Sequence, residues 1–216
     1  MTFPFIPQLT RCRTSILQLI SIFTLFIACL ISPLQSQTLC DDPEACNFTP
    51  SASQCIRVEA TASHSGMEGS EDLTGMTTYR VYAVLENTDD VLSAIIGDSE
   101  YQTFFNSSTS FFQHPAGSAT PNTLTPTFFQ FTPALEFDSW VTIGIDQAPE
   151  GDEGSISLIE DSSSPWIAPF EAGNNLDISS AEGGGWYSFI GDSNAISGAD
   201  NEVLVGQFTT SGTLSG

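Results

Sequence analysis

Thr78-Tyr79-Arg80-Val81-Tyr82-Ala83-Val84-Leu85 is the stretch that decides the fold. Tyr79, Val81, Ala83 and Leu85 fall on one side of an extended chain. This period of two marks a strand with one buried face. Asn87-Thr88-Asp89-Asp90 then reads as a turn and 91–96 as the next strand, closed by Gly97-Asp98, so the segment predicts a hairpin.

Working outward, β-rich runs recur at 102–105, 110–113, 127–131, 139–145, 155–159, 186–190 and 202–209, separated by Gly, Pro, Asn, Asp and Ser clusters. In 139–145, Val141, Ile143 and Ile145 alternate with Thr142 and Gly144, the pattern of a half-buried strand. Gly183-Gly184-Gly185 ahead of Trp186 reads as a flexible turn. Downstream of the N-terminal segment no run of ten residues sustains a 3.6-residue apolar period. About eight to ten short strands at this spacing predict an all-β fold, a β-sandwich or jelly-roll-like antiparallel domain over 57–216.

The chain opens MTFPFIPQLTRCRTS, with Arg11 and Arg13 its only early charges, and an apolar run follows from 16 to 34. A basic start, an apolar stretch and a small residue, Ser36, make a secretory signal peptide over 1–36. The run is also close to the ~20 residues of a membrane-spanning helix. Ser32-Pro33 near its end and the acidic flank beyond favour cleavage, so no membrane insertion is expected afterwards. Phe26-Ile27-Ala28-Cys29 loosely resembles a lipoprotein box.

Past residue 36 the only cations are Arg57 and Arg80, against all 26 acidic residues, and lysine is absent. Phosphate backbones are held by Lys and Arg that displace counterions, so nucleic-acid binding is excluded. Anionic membrane surfaces are disfavoured for the same reason. The 180 residues from 37 to 216 hold most of the 16 phenylalanines and all three tryptophans, enough for one well-buried domain.

Three cysteines, Cys40, Cys46 and Cys55, lie in CDDPEACNFTPSASQC and none follows. A zinc site needs four ligands, and the only histidines are His64 and His114. An exported chain meets an oxidising compartment, which favours one disulfide and a leftover thiol.

Cys40, Asp42, Pro43, Ala45, Asn47, Phe48, Pro50, Ala52 and Cys55 stand where a short recurrent module has them. That module resembles C-T-D-P-x-A-x-N-Y-x-P-x-A, closed by D-D-G-S-C, of large secreted and cell-surface proteins of marine bacteria, notably Bacteroidetes. The resemblance covers the sixteen residues from Cys40 to Cys55, within a short cysteine module at 37–56, and implies a Cys40–Cys55 bridge with Cys46 unpaired. Closing such a loop stabilises by about 3 kcal/mol in the chain-entropy account. The acidic segment before the last cysteine is replaced by Ser53-Gln54, so no cation role carries over. The order TYRVY, Phe111-Phe112-Gln113-His114 and Phe137-Asp138-Ser139-Trp140-Val141-Thr142-Ile143-Gly144 also resembles uncharacterised secreted domains that accompany such modules. It implies no transferable activity. Trp140 and Tyr82 read as packing a sheet face.

Asp146, Glu150, Asp152 and Glu153 put four carboxylates in eight residues. Asp192, Asn194 and Asp200 form a second acidic stretch, close to Glu202. Hard cations take several oxygen ligands from flexible loops, so both are calcium candidates, the only cofactor the sequence suggests. Neither has EF-hand spacing, and solvated acidic turns account for the same residues.

No G-x-S-x-G is present, and His64 and His114 both sit in turn-like sequence, reading as exposed loop residues. With so many acids, carboxylate pairs discriminate nothing for glycoside hydrolysis. The sequons at Asn47 and Asn106 matter only in a eukaryotic host. The sequence therefore reads as an exported, non-enzymatic structural or adhesive module, secreted or at the cell surface, meeting an extracellular protein or glycan. A carbohydrate-binding or accessory domain of a polysaccharide-degrading system is the alternative, and it needs exposed, coplanar aromatics. A hydrolase would need His64 or His114 in a pocket beside Ser and Asp. The final strand, turn and strand start, 202–216, leave an edge that proteins normally pair, which predicts an N-terminal piece of a longer protein.

Overall fold

Long strands form where apolar side chains alternate, and in the computed structural model, which describes residues 37–38 and 55–216, three of them build one sheet. In chain order the strands begin with β1 (Gln37–Thr38), β2 (Cys55–Ser63), the β3 (Met67–Glu68) and β4 (Glu71–Asp72) hairpin, and β5 (Thr77–Val84). Then come β6 (Ala94–Gly97), β7 (Thr103–Ser107), β8 (Trp140–Val141) and β9 (Ser157–Ile159). The short helix α1 (Ile167–Glu171) precedes β10 (Leu176–Ile178), β11 (Gly184–Tyr187), β12 (Glu202–Thr210) and β13 (Leu214–Ser215). The fold is all-β and every pairing is antiparallel. No helix among the described residues is long and apolar enough to cross a membrane.

A five-stranded sheet, β1-β2-β5-β12-β8, faces two three-stranded sheets, β10-β7-β13 and β6-β11-β9. The main core fills the space between these layers. Val81, Ala83, Val203, Val205 and Phe208 come from the large sheet, and Leu176, Ile178 and Trp186 from the small ones. Its aromatic centre stacks Phe105 on Phe208 at 4.6 Å and brings Trp166 within 6.0 Å of Trp186. Leu85 packs against this core, as its place beside Val81 and Ala83 predicts.

The large sheet is covered on its other face as well. Leu124, Leu135, Trp140 and Leu204 form a second cluster against Tyr82 and Phe129. One residue of β12 is extra: the register slips between Leu204 and Gly206, so Val205 and Gly206 face one partner residue. Such a bulge lets a single strand serve both cores. A Cβ at Gly206 would lie 2.7 Å from the Phe208 ring, which fills the room the glycine leaves.

Several expectations need correction. β5 and the following strand do not pair as a hairpin, because β5 is flanked by β2 and β12. The Asn87–Asp90 turn forms, with Asp90 Oδ2 accepting the Glu86 and Asn87 amides, yet it sends the chain across to the other layer. There β6 pairs β11. A nine-residue partner such as β2 offers β5 more ladder bonds than four-residue β6 could.

Residues 127–131 are not a strand. Pro121, Pro126 and Pro133 each open a 3-10 turn, and a proline supplies no ladder donor. The 139–145 segment is buried on both faces, not half-buried: Trp140 and Thr142 are as enclosed as Val141 and Ile143. Only Trp140–Val141 is regular strand; beyond it Gly144 turns at φ 77°, where a Cβ would lie 1.8 Å from the Asn194 carbonyl oxygen. Finally, Gly184 and Gly185 are strand, not turn, and a Cβ on Gly185 would meet the Ile95 carbonyl at 2.1 Å.

Cys40 and Cys46, the expected bridge partner of Cys55 and the spare thiol, lie outside the described residues, as does the 1–36 signal segment.

Candidate functional site

The two acidic stretches predicted from sequence meet in space. Ser193 Oγ donates to Asp152 Oδ1 at 3.1 Å, and the Gly154 amide donates to Asn194 Oδ1 at 2.8 Å. Their side chains, however, are engaged within the fold. Asp192 Oδ2 accepts the Ser188 hydroxyl and the Phe189 amide. Asn194 is buried and donates to the Ile143 carbonyl. Glu150 and Glu153 close a turn on each other, with the Glu150 amide on Glu153 Oε2, and Asp146 pairs with Arg80 at 3.0 Å. Asp200 stands apart on the exposed 3-10 turn Gly198–Asp200. Among the described residues no three His, Cys, Asp or Glu side chains converge as a metal cage.

His64 is not an exposed loop residue; it is only 6% exposed. Its Nε2 lies 2.9 Å from Thr78 Oγ1, which meets Thr209 Oγ1 at 2.8 Å. Nδ1 faces Glu68 Oε1 at 3.3 Å, and the ring packs edge-on to Phe137. A carboxylate, an imidazole and a hydroxyl in line have the order of a catalytic triad. The hydroxyl belongs to a buried threonine, the second residue of β5, that is already shared with Thr209; it borders a small hollow of about 200 Å³ with Arg80, Glu136 and Gln207. Its chemistry is to pin β2, β5 and β12 together. No local pattern signals this, since Thr78 and Thr209 are far apart in the chain.

His114 lines a hollow of about 390 Å³ with Gln113, Pro115, Gly117, Ser118 and Glu171. Its Nδ1 accepts the Ala116 amide at 3.0 Å, which places the proton of the neutral ring on Nε2. Ser118 donates its hydroxyl to the Thr120 carbonyl, so no serine–histidine pair forms there. Beneath this loop sits Asp138, with no solvent exposure. Its Oδ1 accepts the His114 amide at 2.7 Å. Oδ2 is buried with no hydrogen-bond partner, and a Cβ on Gly117 would lie 1.9 Å from it. Burial pushes the Asp138 carboxyl up to about 7, with a smaller push from Glu171. The His114, Ser139 and Ser118 amides pull the other way, the last two without closing a bond to Oδ2. Asp138 is thus a clamp joining two of the motifs noted in the sequence, Phe111–His114 and Phe137–Gly144.

What the molecule presents to solvent is different in kind. Trp140, Trp166 and Trp186 are 1%, 3% and 0% exposed, so none is available to stack on a sugar. Trp166 and Trp186 donate their indole N–H groups to the Ile159 and Thr142 carbonyls. On the outer face of β6-β11-β9, Ile96 and Ile159 both pair across Gly185, and Ala94 and Ser157 pair across Tyr187. Tyr187 carries Phe189 at 5.5 Å, their rings at 89°. Ile96 on this face, Phe189 against Tyr187 and Ile190 in the turn just past β11 are 74%, 63% and 90% exposed, an apolar stripe that begins on the sheet and continues into the turn. Gly185 sharpens it, since the absent side chain leaves Ile96 and Ile159 side by side. The sequence reading misses this face because the glycine run resembles a turn.

No protein-family model, no curated protein and no solved structure matches this chain.

Proposed function

We infer that the chain is an exported, non-enzymatic module that works by surface contact with protein, as a structural or adhesive element of the cell surface or medium. The observation that supports this reading is the inversion of apolar exposure: all three tryptophans are buried while an aliphatic and aromatic stripe faces solvent. Contiguous exposed apolar patches on a soluble domain mark interaction sites. Export rests on the leader-like 1–36 segment and on a lysine-free, acidic composition suited to staying dissolved at high concentration. Against the glycan-binding alternative stand the burial of all three tryptophans and the perpendicular rings of Tyr187 and Phe189.

The test is retention of the full chain on protein-coated surfaces, run beside a glycan array and a panel of chromogenic esters and glycosides. Retention on protein, with neither glycan signal nor turnover, is expected. Saturable glycan binding, or turnover abolished by His64→Ala, would overturn the reading.

A further inference from the structure

We propose that the outer face of β6-β11-β9 docks an extended protein segment that is apolar at its centre and cationic at both ends. This deepens the surface-contact reading above and rests on it. The centre is set by Ile96, Ile159 and Tyr187 on the sheet, by Phe189 packed edge-on to Tyr187, and by exposed Ile190 in the turn that follows β11. The ends are set by charge. Beyond the Gly184 end of the sheet stand Asp98, one residue past β6, and Glu160, one residue past β9. At the other end Asp192 staples the Phe189 turn, and Asp152 joins it through Ser193. Hydrogen bonds from the Tyr101 and Glu100 amides hold the Asp98 carboxyl below its ordinary range, so it stays ionised.

No cation among the described residues offsets these acids locally. Arg57 and Arg80, the only cations there, belong to β2 and β5 of the other layer and are paired with Glu202, Glu59 and Asp146. A second copy of this chain, itself at −22, is repelled by the same field, as are anionic lipids. The span from the Gly184 end to Phe189 is about 15–20 Å, the length of roughly five extended residues between the two cationic ends.

The experiment uses the full chain and three labelled peptides in fluorescence anisotropy. The first is Lys-Lys-Ile-Thr-Val-Thr-Ile-Lys-Lys, the second replaces its Ile and Val by Ser, and the third replaces its Lys by Glu. The first is expected to bind at least tenfold more tightly than either control, and to weaken as salt rises. Ile96→Asp combined with Ile190→Asp is expected to lower that affinity at least tenfold. Phe131→Ser, at a solvent-exposed site outside this sheet, is expected to leave it unchanged. Equal binding of the serine peptide would reduce the effect to bulk acidity and overturn the proposal. So would equal loss in Phe131→Ser, dimerisation in sedimentation, or binding to neutral lipid vesicles that the double substitution abolishes. If the chain is retained on protein-coated surfaces and the double variant is retained equally, this face is wrong while the surface-contact reading stands. If nothing is retained, that reading itself fails.

Discussion

Replacing Asp138 by asparagine isolates a carboxyl whose titration the fold displaces upward. In the folded chain its pKa is about 7, against an ordinary value of 3.8. The native state therefore holds a proton that the unfolded state has released, and between these two pH values stability falls as pH rises. The contribution is fully present below pH ~4 and lost as pH passes through ~7. About three pKa units at 1.36 kcal/mol each give about 4 kcal/mol at most. In Asp138→Asn the new side chain would mimic the protonated acid: its oxygen still accepts the His114 amide, and its NH2 group occupies the position of the unpartnered oxygen. Urea unfolding followed by the fluorescence of the buried tryptophans, at half-unit steps from pH 4.5 to 8.5, measures the difference. The variant should exceed the natural chain by about 1 kcal/mol at pH 4.5, and that margin should grow by at least about 2 kcal/mol by pH 8. The exposed carboxyls of Asp72, Asp90, Asp98 and Asp161, all held low by hydrogen bonds, lose their contribution only below that window. Parallel pH profiles for the two proteins would refute the reasoning, showing Asp138 ionised and satisfied in place.

Gly144→Ala places a Cβ against the Asn194 carbonyl at a φ of 77° and should destabilise by about 3 kcal/mol or more in chemical denaturation. His64→Ala leaves the buried Thr78 and Thr209 hydroxyls short of a partner and opens space beside Phe137. A loss of about 2–3 kcal/mol is expected, with part recovered by His64→Gln if the hydrogen bond to Thr78 matters. Calcium at millimolar concentration should move the melting temperature by less than about 1 °C, because the Asp152, Asp192 and Asn194 side chains are committed to protein donors and acceptors. A rise of several degrees in calorimetry, reversed by chelator, would show that these loops re-aim their oxygens.

Strands are legible in the sequence where one face alternates cleanly. Val81 and Ala83 announce β5, and the uninterrupted run 202–209 announces β12 because that strand is covered on both faces. β2 is missed although Ile56, Val58, Ala60 and Ala62 alternate with Arg57, Glu59 and Thr61, because the stretch directly follows the cysteine cluster; its strength comes from eight pairings to β5 that no local pattern encodes. At 127–131 the aromatic content outweighs Pro126, whose missing donor rules out a central ladder. The acidic loops can be found by composition, but their commitment to Ser188, Arg80 and the backbone cannot. His64 misleads because Ala62-Ser63-His64-Ser65-Gly66 has turn composition, while its burial depends on Phe137 and Thr78 arriving from elsewhere. Asp138 draws attention only as part of a motif; its role requires the 114–118 loop folded over it.

The distribution of strand lengths has a consequence for behaviour at high concentration. The long strands β5 and β12 lie inside the large sheet, whereas its edges, β1 and β8, are two residues each. The small sheets end in β10, β13, β6 and β9, none longer than four residues. Among the described residues β2 and β12 extend well past their two-residue outer neighbours; the overhang of β2 carries Glu59 and a register slip at Thr61, and that of β12 is met by the Phe112, Thr142 and Gly144 amides. A fibril grows by templating a straight run of unpaired amides and carbonyls, and these borders offer none of useful length. Folded copies can therefore reach high concentration, with an apolar stripe showing, without polymerising edge to edge.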